Sequence, residues 1–497
     1  MDERARIPVS LPRDNPTRSY WQDPPDAAVA DLRTTETLPE SADVVIVGSG
    51  ITGAAVAWGL LQNGDQPGRS IVMLEARQAC SGATGRNGGH TKAASYRTFA
   101  HHVSTLGSTA AAAQIARLEL ANIRAVHGFA RSHGIDCDAV SCDTVDIIYD
   151  AAQWEAAVAA VAAMRAALGP DDPAAEYELV AGPDAVRARF HGHATTFRGR
   201  PDPVAGAVVY PAGSLSAYKF GVGVLRLCLA RGLNLQTHTP SLALRREKGI
   251  DGVWLVETPR GTIAARRVVL ATNGYTAHLV PRLQGVVVPL RGQVTAQRPG
   301  RALPAGGCLP TTYSFIYEGG YEYMVPRPAG SRFAGDIVMG GGLVRGAADE
   351  GLYEYGSTDD TALNPDVSAY LRDTTPRYFG PDWGEDDPAG RVRAEWTGIM
   401  GFTPDGFPLV GEIPHGGGDD DDGGGLWTAS AFQGHGMVLC WMCARALVDM
   451  MEGRDANNEL DSWFPRAFRI TEERLAKRFQ GRVSHNISGQ DQGVPAE

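Results

Sequence analysis

A run of mostly β-branched residues, Asp43-Val44-Val45-Ile46-Val47, feeds directly into Gly48-Ser49-Gly50-Ile51-Thr52-Gly53. The apolar stretch Ala54-Ala55-Val56-Ala57-Trp58-Gly59-Leu60-Leu61 follows, and a second β-run, Ser70-Ile71-Val72-Met73-Leu74, ends on Glu75. Few folds accept that order. A buried strand, a glycine turn, a helix and a second strand closed by an acid make one βαβ unit, and the spacing suits a dinucleotide. Gly48 allows the tight turn, Gly50 lets backbone approach a pyrophosphate, and Gly53 lets the helix pack on the strand. The first helical turn, with Ile51 and Thr52, offers free N–H groups to phosphates. Glu75, followed by Ala76 and Arg77, is placed to accept from ribose hydroxyls.

The segment after the acid separates two kinds of dinucleotide. Ser81-Gly82-Ala83-Thr84-Gly85-Arg86-Asn87-Gly88-Gly89-His90 combines glycines, hydroxyls and an arginine. Such a loop suits a backbone wrapped around phosphate and ribityl groups, which a nicotinamide cofactor would not need. Near the other end, Gln433-Gly434-His435-Gly436-Met437 precedes a helical run to about Met451. A helix N-terminus there would stabilise the negative charge that a reduced flavin carries on its pyrimidine edge.

Between these motifs the chain alternates in character. Helical periodicity marks 109–131, 151–168 and 216–231, and strands are expected at 145–149 and 233–236, with a hairpin over 252–264. Residues 169–203 read as connecting structure, and 285–395 as β-rich. The stretch Val268-Val269-Leu270-Ala271-Thr272-Asn273-Gly274 repeats the strand-then-glycine pattern. Gly416–Gly425 is a solvated Gly/Asp loop. Cys440 and Cys443, spaced CxxC within an apolar helix, read as core thiols. The Asn486-Ile487-Ser488 sequon means little without a secretion signal.

Taken in order, GSGITG, SGATGRNGGH, VVLATNGY, TGIMGFTPDGFPLVGE and AFQGHGM resemble the glycine/D-amino-acid oxidase-like (DAO) family of FAD-dependent oxidoreductases. Within it, the motifs resemble those of gamma-glutamylputrescine oxidase and sarcosine oxidase. The resemblance implies an α/β fold: a Rossmann-like, glutathione-reductase-type FAD domain built from 41–98, 205–284 and 395–455. An α+β substrate domain with a mainly antiparallel sheet would come from 99–204 and 285–394. Residues 1–40 would form an arm and 456–497 an extension. The cofactor implied is non-covalent FAD, held by Gly48, Gly50, Gly53 and Glu75, by Arg86–Gly89, by Thr272, Asn273 and Gly274, and by Gly434, His435, Gly436 and Met437. The chemistry implied is oxidation of a C–N bond in a small amine or amino acid, by hydride transfer to flavin N5 and hydrolysis of the imine. A biosynthetic dehydrogenase acting on a secondary-metabolite amine or alcohol is the alternative, and a non-catalytic flavin-fold protein a third.

Two departures bear on molecular oxygen as a second substrate. Sarcosine-oxidase-like members carry lysine where this chain has Val438, and another in the strand that here reads Asp336–Gly340, which holds none. Candidates for handling the substrate are His90 and His435 as acid or base, Tyr317 in an aromatic cover with Tyr313, Phe315, Tyr321 and Tyr323, and Arg327 as a carboxylate fork. Lys92 reads as solvated. No metal set is apparent. A net charge of −11 argues against nucleic acid. No apolar run approaches the ~18 residues of a membrane span. A cytoplasmic protein is expected.

Overall fold

The computed structural model describes residues 1–62, 68–246, 252–414, 424–482 and 487. The greater part of the Gly/Asp loop, and Asn486 and Ser488 of the sequon, lie outside them.

Two sheets organise the chain. In the first, parallel strands run in the order Asn234–Gln236, Ile71–Leu74, Ser41–Val47, Gly261–Leu270 and Leu426–Ser430. Leu409–Glu412 adds an antiparallel edge beside Leu426–Ser430. Both faces of the sheet are covered, which is why these strands are apolar without alternation. Val44, Ile46 and Met73 face a cluster shared with the helices Ile51–Gln62, Ala217–Leu229 and Cys440–Met451. Val45, Val47, Val72 and Leu74 face the opposite cluster, with Ile263 and Leu283. The hairpin lies where expected, Trp254–Thr258 against the first half of Gly261–Leu270.

The second sheet runs Val392–Phe402, Val288–Gln297, Ile337–Gly340, Gly320–Pro326, Thr312–Tyr317, Val140–Ile148 and Gly206–Ser214. Only the Thr312–Tyr317 and Val140–Ile148 pair is parallel. At its far edge His90–Thr91 pairs with Gly213–Ser214. Gly206–Ser214 and Val392–Phe402, expected on the nucleotide side, therefore pair in this sheet instead. Both read as strands from their sequences, and strand character alone does not say which sheet a strand joins.

The helices Thr109–Ser132 and Ala151–Leu168 match their periodicity, and each begins at a side-chain cap, Ser108 to the Ala111 N–H and Asp150 to the Gln153 N–H. Other elements depart from expectation. Residues 169–203 contain a helix, Pro183–Phe190, and a small hairpin, Thr195–Phe197 with Arg200–Asp202. Pro365–Arg372 is a helix inside the β-rich region, capped by Asn364 with proline at its first position. That start signal was present in the sequence. Among the described residues, no helix is long and apolar enough to cross a membrane.

At the glycine turn Gly48 takes φ +105°, and a Cβ on Gly53 would lie 1.9 Å from the Gly48 carbonyl oxygen. The obstacle is backbone and cannot rotate away. Gly53→Ala is expected to destabilise the protein by about 3 kcal/mol, read as a lowered thermal unfolding midpoint of the purified variant.

Candidate functional site

The glycine turn opens onto a cavity of about 360 Å³ that runs between the two sheets. Its floor at one end is the first βαβ unit. The Glu75 carboxylate accepts from the Ser49 N–H at 3.2 Å and the Ser49 hydroxyl at 2.6 Å, while its other oxygen accepts from the Arg77 N–H at 3.0 Å. The acid is thus locked beside the turn. Ser49 also accepts from the Cys80 N–H at 2.9 Å, which ties the loop after the second strand to the same point.

That loop holds itself in shape. The Asn87 amide donates to the Ala83 and Thr84 carbonyls at 3.1 Å and accepts from the Gly89 N–H at 2.7 Å. The Arg86 guanidinium turns inward, donating to the Ser81 carbonyl at 2.9 Å and the Thr397 carbonyl at 2.9 Å, so it fastens the loop to the second sheet. Gly88 lies against the Tyr323 ring, where a Cβ would come within 2.2 Å of Cε2. Gly340 meets the same ring from another strand, at 2.3 Å.

The cavity is lined by Gly48, Gly50, Ile51, Thr52, Glu75, Ala76 and Arg77, and then by Gly82, Ala83, Thr84, Arg86, Asn87, Gly88 and His90. Thr272, Asn273 and the Gly434–Met437 turn complete that group. Gly53, Gly89 and Gly274 are not in the lining; they are packing positions behind it. The late turn is a 3₁₀ turn, Gly436–Val438, and its helix begins at Cys440 rather than Met437. Cys440 consequently reaches the cavity wall, whereas Cys443 is buried as core.

The surroundings of Glu75 suit a polar ligand. Arg77 Nε, Ser241 Oγ, Tyr275 Oη and His278 Nε2 are buried without a hydrogen-bond partner, and all four residues line the cavity. Orphaned buried polar atoms are costly, and a set gathered along one wall fits a ligand rich in hydroxyl, ring-nitrogen and phosphate groups. Ser10–Pro12 of the N-terminal arm line the cavity as well. Nothing in the sequence pointed to that, since the arm has no periodicity.

The second sheet furnishes the other end. His90 Nε2 lies 2.7 Å from Thr312 Oγ1. Burial, with Lys92 close by, pushes the His90 pKa well below the histidine range. His435 is pushed down to about 4 by burial and by Arg97 and Lys92. Both imidazoles are neutral at pH 7.

Lys92 is not solvated. Its side chain is 8% exposed, lines the cavity, and donates to Asp146 Oδ1 at 2.6 Å and to the Ser314 hydroxyl. Burial brings its pKa down to about 8, against the pull of Asp146. Asp146 is fully buried and also accepts from the Tyr96 and Tyr210 phenols at 2.8 and 2.9 Å. Burial alone would raise its carboxyl, but Lys92 and Arg97 outweigh that and hold it low. An acid within the apolar run Val145–Ile148 was the sequence signal for this network. Its partner 54 residues away carried none.

The aromatic cover divides. Tyr321 and Tyr323 line the cavity, while Tyr313 and Phe315 turn into the core against Phe379 and Tyr378. Tyr317 reaches the wall, but its phenol donates to the buried Glu322 at 2.5 Å. Arg327 is outside the cavity lining: it pairs with Asp138 at 2.7 Å and stacks 4.8 Å over Trp21. The guanidinium expected to meet a substrate carboxylate is instead drawn to Asp138 through Nη2. Among the described residues no group of three metal-ligating side chains occurs.

Comparison with known proteins bears on this cavity directly. The FAD dependent oxidoreductase (DAO) family pattern matches residues 43–450. The probable oxidoreductase OrdL of Rhizobium meliloti is 25% identical over 84% of this chain and 85% of its own length. Glycine oxidase from Geobacillus kaustophilus superposes with a TM-score of 0.61 at 20% identity, over 85% of this chain and 98% of that one. L-Amino acid deaminase from Proteus myxofaciens, in complex with anthranilate, gives 0.60 at 15% identity, over 88% and 97%. A match reaching from the first strand of the βαβ unit into the helix after the late turn spans both walls of the cavity. The chain belongs to the DAO family of FAD-dependent oxidoreductases, and its cofactor is FAD.

Proposed function

We propose that the chain oxidises a C–N bond of an amino acid or amine. The reading rests above all on one observation: a buried, cavity-facing lysine and an aromatic wall share one enclosed space with the dinucleotide turn. Bound FAD supplies the acceptor for a hydride from the carbon beside nitrogen. The rest is the work of this chain's residues. Glu75 fixes the ribose end and the loop at 81–90 the middle of the cofactor. Tyr321 and Tyr323 keep water from the reacting carbon.

An ammonium cannot give up hydride from its α-carbon readily, so the site must take its proton first. Lys92 is the cavity group poised for that. Its neutral form becomes abundant as pH rises through about 8, with Asp146 and Ser314 holding Nζ in place. The neutral His90 and His435 orient polar groups at the same end. The imine product then hydrolyses in water.

Five measurements test this reading. Anaerobic addition of amines and amino acids should bleach the flavin with at least one of them; a panel in which alcohols alone bleach it would overturn C–N oxidation. Readmitting air then separates oxidase from dehydrogenase. With the bleaching substrate, kcat/KM should rise with pH to a plateau above about 8, and Lys92→Met should abolish that ascent while lowering thermal stability, because Asp146 loses a buried partner. Glu75→Gln should weaken FAD binding about tenfold or more in reconstitution of apoprotein. Denatured protein should release all of its flavin to the supernatant, as expected for non-covalent attachment.

A further inference from the structure

Of the four unpartnered polar atoms on the wall beside Glu75, two belong to side chains held from behind by the N-terminal arm. His278 Nδ1 lies 3.1 Å from the Val9 carbonyl oxygen. A carbonyl can only accept, so Nδ1 carries the ring proton, and in the neutral imidazole Nε2 is left with a bare lone pair. That nitrogen is buried and has no donor. Arg77 gives Nη1 to the Arg13 carbonyl and to Asp360 Oδ1, each at 3.0 Å, and Nη2 to the Ser81 carbonyl at 3.3 Å. Its Nε alone is left over. The arm thus sets one acceptor and one donor on the same wall.

The arm is itself fixed. Gln284 clamps it with its whole amide: Oε1 accepts from the Val9 N–H at 3.2 Å, and Nε2 donates to the Ala5 and Ile7 carbonyls at 2.8 Å. The Val9 side chain is buried in the core cluster of Val47, Leu74 and Leu279. Ser10 Oγ meets Thr358 Oγ1 at 2.6 Å, and Ser10, Leu11 and Pro12 line the cavity. Four residues of extended chain reach at most about 14 Å. The stretch from Val9 to Arg13 therefore ties His278 to the adenosine end, where Arg77 follows the ribose acid by two residues.

The chemistry of the wall narrows what completes it. Phosphate oxygens accept, so a lone pair on His278 Nε2 finds no partner in a pyrophosphate. Adenosine brings donors, its exocyclic amino group and its ribose hydroxyls, together with ring nitrogens that accept. A buried acceptor with no donor is unfavourable until such a group arrives.

We propose that the N-terminal arm is part of the cofactor site: through the Val9 carbonyl it presents His278 Nε2 as a fixed acceptor for a donor on the adenosine half of FAD, the amino group or a ribose hydroxyl. Adenosine binding and docking of residues 5–13 then favour each other reciprocally. The inference rests on FAD as the cofactor and is independent of which bond the flavin oxidises.

The test reconstitutes full-length apoprotein with FAD and with three analogues: one with purine in place of adenine, which lacks the amino group, and the 2′-deoxy and 3′-deoxy forms of the adenosine ribose. Dissociation constants are read from the change in flavin fluorescence. One analogue should bind wild type about tenfold more weakly than FAD, and His278→Phe should weaken FAD itself about tenfold. That analogue should lose nothing further in His278→Phe, and its identity names the donor. His278→Gln, whose amide oxygen can accept, should recover part of the affinity. Amide hydrogen exchange over residues 5–13 should slow about tenfold when wild type binds FAD, and less with the analogue that lacks the donor. Discrimination among the four cofactors that is the same in wild type and His278→Phe would overturn the contact. Exchange over 5–13 that FAD leaves unchanged would remove the arm from the cofactor site. If His278→Phe does not fold, the wild-type exchange decides alone: equal protection of the arm by all four cofactors would overturn the proposal.

Discussion

The ring of Tyr323 is held between two glycines that could not be anything larger. Gly88 belongs to the loop that follows the nucleotide-binding strands, and Gly340 to a strand of the second sheet. Because the ring sits where both side chains would be, the loop and the sheet approach to backbone distance, and one cavity can have a wall from each. Arg86 reinforces the joint from the other side through the Thr397 carbonyl, and Trp396 donates to the Arg86 carbonyl at 2.8 Å. Two sheets that share one core cluster thereby also make one site. Neither alone lines the whole cavity.

At the reactive end, burial is used to set charge. Asp146 sits under the wall as a fully buried anion, and two phenols and one ammonium satisfy its oxygens. That fixed negative charge is what permits two cations, Lys92 and Arg97, to stand in a low-dielectric wall. The histidines stay neutral chiefly because they are buried, with Lys92 disfavouring a further positive charge at both and Arg97 at His435, although Asp146 pulls His90 the other way.

The parts of this arrangement that were readable in the sequence are the local ones. Gly48, Gly53 and Glu75 fall within a single βαβ unit, where short-range sterics dictate residue type. Asn87 and its glycines likewise fold on themselves. Arg327 and Lys92 were misread because their roles depend on partners far along the chain, Asp138 and Asp146, and neither spacing nor periodicity encodes such pairs. Alternation along Thr312–Tyr317 correctly implied a strand with aromatic rings on one face. Which face met the cavity depended on the helix carrying Tyr378 and Phe379, which had been read as part of a β-rich region.

The N-terminal arm has a consequence for how the protein is made. Arg4 donates to the Tyr355 carbonyl across 351 positions, Thr17 pairs with Asp360, and Ser10–Pro12 close over the cofactor cavity. During synthesis the arm emerges long before any of these partners exists. It cannot dock until the chain beyond residue 360 has left the ribosome and the second sheet has formed around it. Contacts of such high sequence separation are paid for in loop-closure entropy and form late. The cavity is therefore open along one wall through most of the chain's assembly, and residues 4–17 are among the last to dock.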